Sequence, residues 1–209
     1  MKKALSRSFC AGLLAASPVP AVAAASSSEV YDAGQCVVQQ DRRAAIALMQ
    51  SLPLDESPAD SSALRGRAAR CAGPLSGAPS MLVRGAIAQA MFLRDFGSFR
   101  RNPDSETSFI NLNLPLQSSP AGSRAVELYR WADCVVRYDT ATTERLLRTG
   151  VGSPEEGATI GELQNFMAAC MPEGAELTVR PWELRSVFAQ AAYHTLYRYW
   201  TGQLTARGS

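Results

Sequence analysis

Past its third residue this chain contains no lysine, and every base from Arg42 onward is arginine. It has one histidine, His194, which excludes a histidine-rich metal site. Any Ser-His-Asp or Cys-His machinery would have to use this one residue, set in an aromatic helical stretch. We read His194 as a packed or half-exposed helix residue. There is no G-x-S-x-G, no H-E-x-x-H and no glycine-rich phosphate loop. No C-x-x-C pair offers a redox or zinc motif. No run of alternating β-branched residues with hairpin turns is present, so the expected class is all-α. Nothing in the composition implies a cofactor.

The first residues read as a secretory leader. Met1-Lys2-Lys3 and Arg7 precede an apolar run from Phe9 to Val22, with small-x-small sites at Ala21-Val22-Ala23 and Ala23-Ala24-Ala25. Pro18 and Pro20 interrupt the run, which is too short to anchor in a bilayer. Cys10 lacks the small, Leu-led residues that would make it a lipidation site. With 1–23 removed as the signal, the 21 bases fall to 18 against 19 acids. So balanced a chain carries no electrostatic footprint for nucleic acid. No later stretch predicts a transmembrane anchor, and the expected location is periplasmic or secreted.

What the chain does have is a repeat. Glu29-Val30-Tyr31-Asp32-Ala33-Gly34-Gln35-Cys36-Val37-Val38-Gln39-Gln40-Asp41 recurs 98 residues on as Glu127-Leu128-Tyr129-Arg130-Trp131-Ala132-Asp133-Cys134-Val135-Val136-Arg137-Tyr138-Asp139. The echo continues through Leu48-Met49 and Leu146-Leu147, Ser57-Pro58 and Ser153-Pro154, and Cys71 and Cys170. It reaches Arg84 and Arg185, then Ala88-Gln89-Ala90 and Ala189-Gln190-Ala191. We read a tandem duplication: unit 1 over 29–96, an irregular connection over 97–124, unit 2 over 125–200 and a flexible tail over 201–209. Phe109, Ile110, Leu112 and Leu114 suggest that the connection packs on the surface. Four cysteines remain after export, spaced 35 and 36 residues apart, which favours Cys36–Cys71 and Cys134–Cys170 bridges within the units.

Each unit is expected to hold four helices. The first is the repeated stretch, with Leu128, Trp131, Val135 and Tyr138 at helical spacing in unit 2 and Gly34 weakening unit 1. Asp41 and Asp139 are N-caps for second helices over 42–51 and 140–149, buried through their Leu-Met and Leu-Leu pairs. Ser57-Pro58-Ala59-Asp60 and Ser153-Pro154-Glu155-Glu156 are start signals for third helices. Leu64, Ala68 and Cys71 form the apolar stripe in one, and Ile160, Leu163, Met167 and Cys170 in the other. Gly73-Pro74 and Pro172-Glu173-Gly174 stop them. Fourth helices span 80–96 and 181–200, with apolar faces Val83, Ile87, Ala90, Met91 and Leu184, Phe188, Ala191, Ala192. The second of these carries Trp182, Tyr193, Tyr197, Tyr199 and Trp200, read as core and inter-unit interface with some residues exposed.

Polar residues kept in both copies are the candidate site: Glu29 and Glu127, Tyr31 and Tyr129, Arg84 and Arg185, Gln89 and Gln190. The favoured reading is a brace, in which each Arg reaches the Glu or carbonyls at the C-terminal end of its unit's first or third helix; the rival is one ligand site per unit. A braced Arg185 is expected to contribute about 1–3 kcal/mol. The acids Asp41, Asp139, Asp55-Glu56 and Glu155-Glu156 have simpler work as caps and first-turn residues than as a glycosidase pair.

The order leader, C-V-V-x-x-D, S-P-x-[DE], Cys, R-x3-A-Q-A resembles a group of uncharacterised exported alphaproteobacterial proteins with paired-Cys repeats. That resemblance implies export and a duplicated helical fold, and brings no activity with it. The expected function is a non-enzymatic exported helical module that binds an unknown protein or envelope component. The alternatives are a secreted hydrolase acting on cell-envelope material and a hydrophobic-ligand binder built like saposins, whose cysteine spacing differs.

Overall fold

The computed structural model describes residues 25–96, 120–171 and 177–207, with the backbone alone at 120–122 and 198–207. The expected leader, positions 97–119 of the expected connection and the expected Pro172-Glu173-Gly174 stop lie outside the described residues. Among the described residues all regular structure is helical, apart from one isolated bridge between Pro58 and Pro79.

Helix α1 (Ser27–Gln40) starts at a capping box. The Ser26 hydroxyl accepts the Glu29 amide, and the Glu29 carboxylate takes the Ser26 N–H at 2.7 Å. Asp41 then closes α1 by donating its N–H to Val37 O at 2.8 Å, and opens α2 (Arg42–Ser51) by accepting from Arg43 and Arg43's neighbour Ala44. Asp139 does both jobs between α4 (Pro120–Tyr138) and α5 (Thr140–Arg148), donating to Val135 O at 2.9 Å and accepting from Thr142 N. One aspartate thus fixes the same helix-to-helix corner twice. Helix α4 begins ahead of the expected start, taking the last five residues of the expected connection into a helix.

The halves differ at the third position. In the second half Ser153 caps α6 (Pro154–Ala169), with Glu155 and Glu156 in its first turn, as expected. In the first half the third α-helix does not form. Its place is held by two 3-10 turns, Gly66–Cys71 and Gly73–Leu75. Asp60 spends its carboxylate on the Ser62 N–H and hydroxyl, a local bond that competes with helix. The Ser57–Ala59 segment pairs instead with the approach to the next helix, through Ala59 N to Ala78 O at 2.8 Å and Ser80 N to Ser57 O at 2.8 Å. The expected stripe is still buried: Leu64, Ala68 and Cys71 all face inward. Ala68 and Cys71, three apart, share a face at the 3-10 period.

Both disulfides form as expected, Cys36–Cys71 and Cys134–Cys170. Each ties the first helix of its half to the end of the segment that follows the second.

Helices α3 (Ser80–Phe96) and α7 (Pro181–Arg207) are the centre of the molecule, α3 covered nearly all round over 80–92 and α7 over 183–196. They pack on one another, with α1 against α3 and α4 against α7. Close approach is possible because small residues meet: a Cβ on Gly85 would lie 2.5 Å from the Ser186 Cα, and one on Gly34 would lie 2.8 Å from the Ala86 backbone. The Gly34 that weakens the α1 pattern is therefore a packing site. Gly85 and Ser186 each follow the repeated arginine, so equivalent positions of the two halves face each other. One continuous core joins both halves, with Ile87, Val187 and Phe188 at its middle. The α7 backbone continues as helix to Arg207, through most of the expected flexible tail.

Candidate functional site

Most of the polar residues that recur in both halves converge on the contact of α3 with α7. Arg185 on α7 is 1% exposed. Its Nε donates to Gln89 Oε1 on α3 at 2.8 Å. Its two terminal nitrogens donate to the Thr149 and Leu147 carbonyls, at 2.7 and 3.3 Å, and to Thr149 Oγ1 at 3.1 Å. It also pairs with Glu156 on α6 at 2.8 Å. The guanidinium lies 5.4 Å from the centre of the Tyr31 ring. Arg84 on α3 repeats part of this pattern. Its Nε donates to Gln190 Oε1 at 3.2 Å, and NH1 donates to the Leu52 carbonyl at 3.0 Å.

The pattern is an exchange. Each arginine caps the C-terminal end of its own half's second helix, where carbonyls have no helical partner and the dipole favours a cation. Each is also held by the glutamine of the other half. The tyrosines complete it. Tyr129 donates to Gln190 Oε1 at 2.7 Å, and Tyr31 bonds Ser186 Oγ at 3.2 Å. Burial pushes both phenols above their ordinary range, against the pull of the neighbouring arginine charges and the hydrogen bonds. Both therefore stay neutral hydrogen-bonding groups.

Six of the eight expected site residues meet here; the two glutamates do not. Glu29 is exposed at the α1 capping box, where the Ser26 N–H and hydroxyl lower its pKa. Glu127 is exposed on α4. The arginines thus bind the ends of the second helices, not the glutamates and not the ends of the first. The reason is register: α4 starts well upstream of Glu127, so the two glutamates occupy different parts of their helices.

A second polar cluster was not legible in the repeat. Glu183 in the first turn of α7 is fully buried and accepts from Arg124 at 2.6 and 3.2 Å and from the Arg180 N–H at 2.7 Å. Glu56 bonds Arg124 and Arg180 from outside. Burial raises the Glu183 carboxyl, but the hydrogen bonds from Arg124 and Arg180 outweigh it and hold the pKa down to about 2. The cluster pins the start of α4 to the start of α7.

A third place is a cleft of about 230 Å³ between α2, α3 and α7. Ile46, Met49 and Met91 line it, and Tyr193 and Tyr197 form a stacked pair with centroids 6.0 Å apart. Tyr193 is buried and its pKa is pushed up to about 12, chiefly by that burial. Tyr197 is 48% exposed. Arg42, Arg84 and His194 also reach the cleft. Arg42 is already paired with Asp95 at 2.7 Å. His194, half-buried, meets Tyr193 edge to face at 5.5 Å. Of the other aromatics on α7, Phe188 stacks on Trp131 in the core, while the side chains of Tyr199 and Trp200 lie outside the described residues.

Among the described residues no three of His, Cys, Asp and Glu gather to hold a metal ion, and no helix is long and apolar enough to cross a membrane. Asp55 accepts the Ser57 N–H at 2.9 Å, and Asp41 and Asp139 are caps, so these acids have local structural partners. No protein-family model, no curated protein and no solved structure matches the chain.

Proposed function

We propose that this chain is an exported, tandemly duplicated helical module that binds a ligand, and that it works in the periplasm or outside the cell. The observation that carries the reading is the contrast between two arginines that began as the same residue. Arg185 is consumed by the fold, with a carboxylate, a glutamine and three acceptors at the end of α5 around it. Arg84 opens onto a concave apolar cleft with aromatic walls. Apolar walls with one or two placed polar groups are the usual make-up of a small-molecule site. The two disulfides support an oxidising compartment, and the leader supports export. The different third segments are what a duplicated unit shows after one copy is freed for another task.

The test is expression of the full chain in a Gram-negative host. A mature, oxidised form should appear in the periplasmic fraction. Its unfolding temperature should rise when the small-molecule fraction of an envelope extract is added. A reduced chain retaining residues 1–23 in the cytoplasm would contradict export. Release of product from envelope material would favour the hydrolase.

A further inference from the structure

We infer that Arg84 receives the carboxylate of a small organic acid whose ring or branched body fills the cleft under Tyr193 and Tyr197. The inference rests on the binding-module reading and names the ligand class of that site.

The two arginines supply the first step. Arg185 has a counter-charge, Glu156, at 2.8 Å. The residue aligned with Glu156 in the first half is Asp60. Without a third α-helix there, Asp60 is turned to Ser62 and does not neutralise Arg84. Arg84 is half-buried, and its acceptors, Leu52 O and Gln190 Oε1, are neutral. Among the described residues no carboxylate lies within ion-pairing distance of it. A partly desolvated guanidinium gains most from an acid that returns the missing charge. The other guanidinium of the cleft, Arg42, already has a carboxylate partner in Asp95 at NH2, while its buried Nε has no acceptor among the described residues.

Shape sets the rest of the ligand. A volume of about 230 Å³ equals that of seven or eight water molecules at roughly 30 Å³ each. A half-open cleft of that size seats one compact ring as the buried part of its ligand. Ile46, Met49 and Met91 offer no hydrogen bonds to its body, and the methionines adapt to its outline. The stacked tyrosines give it a flat wall. Among the described residues of the cleft Arg84 is the guanidinium without a carboxylate partner, which calls for one anionic charge, so the class is an aromatic or branched monocarboxylate.

The methionines make the test internal. Met49 and Met91 line the cleft, whereas Met167 and Met171 lie at the α6 end. Methyl-labelled, oxidised mature protein is titrated with benzoate, phenylacetate and cyclohexanecarboxylate, and with the neutral benzamide and benzyl alcohol. The acids should shift the Met49 and Met91 methyls, leave Met167 and Met171 in place, and bind at least tenfold tighter than the neutral probes. Arg84→Gln should erase that discrimination. Because Arg84 also braces α2, Gln50→Glu is the second variant: Gln50 is exposed at the cleft, and its acid should weaken the carboxylates at least tenfold. Equal binding of acids and amides would overturn the inference and leave the binding module standing. So would silent Met49 and Met91 methyls in a protein that envelope small molecules still stabilise. If neither the probes nor that fraction acts, both readings fall.

Discussion

Replacing Arg185 by alanine separates a structural brace from an ornamental one. The guanidinium is 1% exposed and satisfies Gln89, Thr149 twice, Leu147 and Glu156. Its removal leaves the Glu156 carboxylate, 12% exposed, without its cation, and leaves the end of α5 uncapped. Removing one partner of a buried pair costs about 3–5 kcal/mol, more than the 1–3 kcal/mol of a single charged hydrogen bond. Water entering the polar void offsets part of that, so the expected loss is about 4 kcal/mol. A domain holds only about 5–15 kcal/mol in all. Arg84→Ala removes two bonds to neutral acceptors at a half-exposed site and should cost about 1–2 kcal/mol. Urea melts of both oxidised variants at neutral pH measure the difference. A loss under 1 kcal/mol for Arg185→Ala, or equal losses for the two arginines, would refute the asymmetry between the halves.

Gly85→Ala should destabilise by about 1–3 kcal/mol, read as a fall in melting temperature, because its Cβ would meet Ser186 Cα and Cβ at 2.5 Å. Ser186→Gly should rescue it only in part, since the Cα stays in place. Glu183 predicts an acid limb of stability. Its carboxyl is lowered from 4.5 to about 2, so its contribution is complete above about pH 4.5 and is lost as pH falls toward 2. At about 1.4 kcal/mol per pH unit, less the screening of two partly exposed arginines, that is on the order of 2–3 kcal/mol. Urea melts from pH 6 to pH 2 should show a shallower acid limb in Glu183→Gln; an unchanged limb would remove Glu183 from that role.

The helices and bridges were legible because their causes are local. Asp41 and Asp139 read as caps and are caps, and the cysteine spacings of 35 and 36 were enough to pair them. Gln89 and Gln190 stood out by recurring, as did the arginines, yet the pairing between them did not, since each glutamine serves the arginine of the opposite half. A sequence comparison of two copies cannot distinguish a bond within a copy from one exchanged between them. Glu29 and Glu127 misled for the opposite reason, sharing a letter and no environment. Ser26, three residues before Glu29, is the signal that would have placed it in a capping box. The third helix of the first half failed because Ser57-Pro58 signals a start, while the following Asp60 and Ser62 bind each other locally. Arg124 and Glu183 have no echo, so nothing in the repeat drew attention to them.

The exchanged brace also decides how the protein comes apart. Arg84 is held by Gln190 and Arg185 by Gln89, and α3 and α7 bury their faces in one core. Unfolding the first half alone would strip α7 of its main apolar partner and leave Arg185 without Gln89 and Tyr31. The halves should therefore unfold as one unit. All three tryptophans, Trp131, Trp182 and Trp200, lie in the second half, so their fluorescence reports that half alone. Cys36→Ser with Cys71→Ser opens a bridge in the first half only. That bridge spans 35 residues, worth about 4 kcal/mol by chain entropy. With one cooperative unit the tryptophan transition moves to lower urea by the full amount and stays superimposed on the far-ultraviolet circular dichroism. With independent halves the tryptophan transition stays where it was and the circular dichroism splits in two. The second outcome would show that the exchanged hydrogen bonds do not couple the halves.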